Sequence, residues 1–315
     1  MSPLLFNLYT ESLITRVVDS GIGCYVGDVC AAILMYADDI ALLAPSRTAM
    51  QKLLDICDDF GGEFQLEFNP DKSESIIFGR NKYVTNLFLN NKLIPNVNHV
   101  NYLGHHLHNK IQYTNDIFCL QPLIADIKTR TNVILSYFNF LTIDSKIRIF
   151  NVNTSSYYGC VLTNQFDNSL EALDRAWRVC CRKILGLPPR THCDLVPPLM
   201  AVIPPSNQIN KRTIKFFKDG INNKSYFINY FFEHCLFQKE SIMYFNLKKI
   251  SENTYLPISN LMNLSNAQLK KVFYKETSNW KSKIVKELLY SRERQLNCSL
   301  DEYEIGLILN EICTN

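Results

Sequence analysis

The chain has 315 residues, 47% hydrophobic and 20% charged, a balance that gives a substantial core and excludes a disordered or low-complexity chain. A net charge of +3 excludes a polycation, so any nucleic-acid surface has to be local. The 11 cysteines lack C-x-x-C spacing and Met1-Ser2-Pro3 opens no basic-then-apolar leader, which points to free thiols in a reducing, intracellular setting; no apolar run reaches the ~18 residues of a membrane span.

Ser2-Pro3 pairs an N-cap residue with proline at the first helical position. The helix it opens carries Leu5, Phe6, Tyr9, Leu13 and Val17 as its apolar face and stops at Asp19-Ser20-Gly21. Ile33-Leu34-Met35-Tyr36 and Ile40-Ala41-Leu42-Leu43 are short apolar runs bounded by breakers, which predicts two strands with Asp38-Asp39 at the hairpin tip. Asp tolerates the backbone angles of a tight turn. Two adjacent carboxylates repel unless a hard cation such as Mg²⁺ takes their oxygens, leaving positions for substrate phosphates. Read alone, the four residues of this turn are more simply a solvated hairpin, because Asp-Asp turns are common. Pro45-Ser46 then caps a helix with Met50, Leu53, Leu54, Cys57 and Phe60 at core spacing, stopped by Gly61-Gly62.

Leu66 to Phe68 reads as a strand, Asn69-Pro70-Asp71-Lys72-Ser73 as a turn and Ser75 to Phe78 as a further strand. Leu87 to Ile94 is a hairpin with an Asn90-Asn91 turn, and Val100 to Leu107 another, containing Tyr102-Leu103-Gly104-His105. Residues 1–110 thus predict an α+β layer around one small, mainly antiparallel sheet. Helices are expected at 115–138, 144–162 (capped by Asp144) and 168–185. The last has a stripe of Leu170, Leu173, Trp177, Cys180 and Ile184 ended by Gly186 and Pro188-Pro189. Arg175, Arg178, Arg182 and Lys183 form a basic face opposite that stripe, suited to a nucleic-acid backbone or to plain solvation. Pro197-Pro198 and Pro204-Pro205 mark a boundary, beyond which 208–315 is mostly helical and lysine-rich. There Lys270-Lys271-Val272-Phe273-Tyr274-Lys275 with Trp280, Lys281, Lys283 and Lys286 mixes cations with aromatics, as a single-strand groove does and as an ordinary amphipathic helix also does. Cys180, Cys181, His192 and Cys193 are poorly spaced for zinc, because adjacent helical cysteines point about 100° apart.

In this order the elements resemble the C-terminal half of a reverse transcriptase, of the non-LTR (LINE-like) retrotransposon kind. Ser2-Pro3-Leu4-Leu5-Phe6-Asn7-Leu8-Tyr9 resembles the family's S-P-x-L-F-x-x-Y helix, Tyr36-Ala37-Asp38-Asp39 its Y-x-D-D hairpin, Asn69 to Ser73 its N-x-x-K-[ST] turn, and Tyr102-Leu103-Gly104 its primer-grip hairpin. Leu187-Pro188-Pro189-Arg190-Thr191-His192 resembles a segment after the thumb. A group II intron maturase is a weaker likeness. The resemblance implies a partial polymerase palm over 1–110, a helical thumb-like region over 111–200 and a helical C-terminal region over 201–315. It implies RNA-templated DNA synthesis from deoxynucleoside triphosphates, with two Mg²⁺ ions, an RNA template, a DNA primer and no membrane. Asp38 and Asp39 are then the metal ligands, Lys72 a group that neutralises or protonates the leaving phosphate, and Ser2, Pro3, Phe6, Tyr36 and Asn69 parts of the substrate pocket.

The family's third carboxylate lies on a strand before the Ser-Pro helix, and this sequence offers no match to it. Asp28 follows the helix, and Phe166-Asp167 leads into the Trp177 helix as a cap. The expectation is a truncated copy or partial gene product lacking fingers and the third Asp, inactive alone. The alternative is a non-catalytic nucleic-acid-binding remnant.

Overall fold

The computed structural model describes residues 3–79, 86–109, 120–162, 169–200, 202–238 and 241–273. The chain forms two compact units, Met1–Gln112 and Tyr113–Asn315. In the first, α1 (Pro3–Asp19) is followed by β1 (Tyr25–Val26), β2 (Val29–Cys30), β3 (Ile33–Tyr36), β4 (Asp39–Leu42) and α2 (Arg47–Phe64). Then come β5 (Ser75–Ile76), β6 (Leu87–Leu89), β7 (Lys92–Ile94), β8 (Asn96–Val97), β9 (His99–Tyr102) and β10 (His105–His108). Helices and small sheets together match the expected α+β class. Among the described residues the single expected sheet is not seen. The strands pair two by two, antiparallel in β1–β2, β3–β4, β6–β7 and β9–β10 and parallel in β5–β8. Each strand has only two to four residues, and neighbouring hairpins meet through bonds outside the ladders, as where the Cys24 amide donates to the Leu43 carbonyl at 3.0 Å.

The core of this unit gathers Leu13 and Val17 of α1, Ala32 beside β3, and Leu53, Cys57 and Phe60 of α2. Burial, helped by the neighbouring Asp58 charge, pushes the Cys57 thiol up to about 12. Leu54 turns the other way, on to Leu87, Leu89 and Ile94 of the β6–β7 hairpin. Only the second half of the apolar face expected of α1 is buried: Leu5 is 59% and Tyr9 42% exposed, and the Tyr9 hydroxyl donates to the Phe64 carbonyl at 2.7 Å.

Gly61-Gly62 does not stop α2, which continues to Phe64. The reversal comes at Gln65 (φ 55°), where the Leu66 amide donates back to the Gly61 carbonyl at 3.0 Å, a six-to-one closure. A Cβ on Gly61 would lie 2.5 Å from the Leu66 carbonyl oxygen, so glycine serves the chain's return over the helix. That return leaves residues 66–68 as an irregular crossing rather than the expected strand.

The second unit is helical: α3 (Gln121–Tyr137), α4 (Ile143–Thr154), α5 (Ser169–Leu185), α6 (Val196–Leu199), α7 (Pro205–Ile221), α8 (Tyr226–Phe237), α9 (Ile242–Thr254), α10 (Ile258–Asn263) and helical residues 266–273. The expected start of α3 at 115 and the Phe166-Asp167 pair lie outside the described residues. The cap of α4 is Thr142, not Asp144: its Oγ1 accepts from the Ser145 amide. The helix ends at Thr154 rather than 162, ahead of a 3-10 turn at Cys160–Leu162. The whole α5 stripe is buried, with Trp177 at 1% exposure, in a core shared with Ile124, Ile127, Phe150 and Ile209. A second core holds Ile214, Phe217, Phe232, Leu247 and Leu261. No helix among the described residues is long and apolar enough to cross a membrane.

Candidate functional site

In the β3–β4 hairpin Tyr36 pairs with Asp39, so Ala37 and Asp38 form a two-residue turn. The positive φ of that turn falls on Ala37 (52°), not on an aspartate as the sequence reading has it. Asp39 is the first residue of β4, Asp38 the last of the turn, and both are exposed, as is Tyr36 at 66%. The carboxylate pair therefore stands at the solvent end of a hairpin whose Ile33, Ile40 and Leu42 pack on the α1–α2 core.

The β9–β10 hairpin turns on Leu103 and Gly104, both at positive φ (49° and 78°). This is the mirror-image turn that matches strand twist. Tyr102 closes it against His105. Burial raises the Tyr102 phenol above its usual range, and the charge of Asp39 raises it further. The ends of the two hairpins thus lie within electrostatic reach of each other, a coupling that no spacing in the sequence foretells.

Asn69 caps the 3-10 turn Pro70–Lys72: its Oδ1 accepts from the Asp71 amide at 2.9 Å, and its carbonyl accepts from the Ser73 hydroxyl at 2.8 Å. Lys72 is exposed on that turn. Phe6 is half-buried in α1; Ser2 lies outside the described residues and Pro3 is described by its backbone alone. Among the described residues no group of three or more His, Cys, Asp or Glu side chains could hold a metal ion. The zinc reading of Cys180 and Cys181 is left with two buried thiols, both held above their usual range by burial.

The basic face expected on α5 is narrower than the sequence implies. Arg182 turns inward at 9% exposure; its Nε and Nη2 donate to the Thr191 carbonyl at 3.0 and 2.8 Å, and Nη2 also to Cys193 Sγ at 3.4 Å. It ties down the loop after α5 instead of facing solvent. Arg175 pairs with Glu171 at 2.9 Å, Arg178 is half-buried and acts on the Asp174 carboxylate, and Lys183 is exposed.

Residues 1–107 match the family model described as reverse transcriptase (RNA-dependent DNA polymerase). The chain is similar to non-LTR retrotransposon reverse transcriptases. It is 40% identical over 72 residues to the Retrovirus-related Pol polyprotein from type-2 retrotransposable element R2DM of Drosophila melanogaster, covering 23% of this chain and 7% of that protein. It is 25% identical over 157 residues to the RNA-directed DNA polymerase from mobile element jockey of Drosophila funebris, covering 48% of this chain and 17% of that protein. The matched stretch is thus under a fifth of either relative's length. No solved structure matches. The reverse-transcriptase-like segment contains the β3–β4 hairpin, the Asn69 turn and the Leu103-Gly104 turn, and it ends within β10.

Proposed function

We propose that this chain is part of an RNA-directed DNA polymerase of retrotransposon origin, contributing a palm fragment from residues 1–110 and a thumb-like helical region from 111–200. The observation that carries the reading is the Tyr36-Ala37-Asp38-Asp39 turn: two exposed carboxylates on a packed hairpin, coupled electrostatically to Tyr102. On this reading Asp38 and Asp39 are the metal ligands, and Tyr102, Leu103 and Gly104 support the primer end. Lys72, Tyr36, Phe6 and Asn69, with Ser2 and Pro3, border the nucleotide site. Arg175, Arg178 and Lys183 follow the template–primer backbone, with an RNA template and deoxynucleoside triphosphates as substrates.

Two carboxylates make an incomplete donor set for Mg²⁺, which takes near-octahedral oxygen ligation, and the described residues add no third. When bound, Mg²⁺ supplies charge neutralisation at phosphate oxygens. This chain's own part is to hold two of the ligands in place. A second reading, a nucleic-acid-binding remnant without catalysis, draws on the exposed Arg175 and Lys183 of α5.

Mn²⁺ titration followed by electron paramagnetic resonance tests the carboxylates directly. Weak binding, on the order of 10⁻³ M, that is lost in Asp38→Asn supports the ligand role; binding unchanged by that substitution removes it. Primer extension on poly(rA)/oligo(dT) with Mg²⁺ or Mn²⁺ is expected to give no template-dependent product. Incorporation abolished by Asp38→Asn would show instead a self-sufficient polymerase.

A further inference from the structure

In the second unit Lys211, Arg212, Lys215 and Lys270 line a cavity of about 420 Å³ with Val202 and Ile203. No carboxylate belongs to its lining. Three of the cations come from α7, at spacings of one and four residues that place Lys211 and Lys215 on one face. The fourth comes from the helical residues 266–273. Like charges at this spacing destabilise a helix unless an anion lies between them. No carboxylate among the described residues pairs with Lys211, Arg212 or Lys215.

Arg212 is also held in place. One Nη donates to the Ser155 carbonyl at 2.9 Å, and the guanidinium sits over the Tyr157 ring at 5.1 Å. A cation fixed by one hydrogen bond and one ring presents its remaining N–H groups with little entropy to lose, which suits a phosphate. The cavity volume lies in the range of small-ligand sites, enough for a backbone phosphate with its sugar and base.

We propose that this cavity binds the phosphodiester backbone of a single-stranded nucleic acid, as a contact separate from the carboxylate hairpin and independent of whether the chain polymerises. A bilayer surface carries the same phosphate chemistry but meets a protein over a broad face, whereas these cations converge on a concavity.

The test uses the full chain and a fluorescently labelled single strand, as RNA and as DNA, with anisotropy read across a salt series. The variant Lys211→Glu/Lys215→Glu is compared with Lys52→Glu/Lys224→Glu, which lowers net charge equally at exposed positions elsewhere. The site variant is expected to bind at least about tenfold more weakly near 100 mM salt and to lose about 1.4 from the salt slope, at ~0.7 per single-strand phosphate contact. The control should keep both. Loss on RNA, on DNA or on both supports the site and identifies the strand. Lys270→Glu, on the separate helical segment, should weaken binding in the same sense, with circular dichroism confirming that each variant folds. Equal weakening in site variant and control overturns the proposal. So does binding confined to phosphatidylserine vesicles.

Discussion

Ala37 holds a backbone conformation that costs a residue with a Cβ roughly 1–2 kcal/mol. Ala37→Gly should therefore raise stability by about 0.5–1 kcal/mol after the extra freedom of unfolded glycine is counted, read as a higher urea midpoint with unchanged slope. Arg182→Ala leaves the Thr191 carbonyl without its two guanidinium donors and should cost about 2 kcal/mol in the same melt; Arg182→Lys should not restore it, since the fork is lost. These two residues show what sequence can and cannot reveal at this scale. The Asp38-Asp39 pair is readable because its chemistry is in the residue types. Which residue of the turn takes the positive φ, and which arginine of a basic run turns inward, depend on the path of the chain many residues away.

Elements were legible where the local signal was strong. Asn90-Asn91 and Leu103-Gly104, all at positive φ, turn where the alternating strands require. The α5 stripe is buried along its whole length. The β1–β2 hairpin was missed although Gly27-Asp28 between two apolar pairs signals it. Gly61-Gly62 misled because glycine marks a close approach as readily as a helix end. A tertiary cap was invisible altogether: Asp174 of α5 accepts from the Ser206 amide at 3.0 Å and hydroxyl at 2.6 Å, satisfying the first turn of α7. Burial raises this carboxyl above its ordinary value, against those two hydrogen bonds and Arg178, which lower it. A raised folded value means the folded state takes up the proton first. The ionised carboxylate thus costs stability at neutral pH, and the cost disappears as pH falls through the folded value towards the ordinary ~3.9. Asp174→Asn, which keeps the shape, should gain on the wild type at pH 7 and lose that gain by about pH 4, as followed by urea melts at each pH.

At the scale of the molecule, the segment with a family match and the helical unit that follows are organised differently. The first places exposed carboxylates on short hairpins; the second is a succession of helices around two cores. Residues 1–107 were readable because four motifs in order constrain one another. The helical region beyond has no such cross-check, and its fold rests on non-local packing. α7 runs through both cores there, with Ile209 in one and Ile214 and Phe217 in the other, all at 0% exposure. Ile209→Ala should cost about 2–5 kcal/mol and shift both cores together, seen in calorimetry as one transition for this unit rather than two. Lys211, Arg212 and Lys215 occupy the stretch of α7 between those anchors. A strand held at that junction would act as a thermal clamp: by mass action its affinity would be added to the melting of both cores at once, so occupancy could be read from heat capacity with no label on either partner.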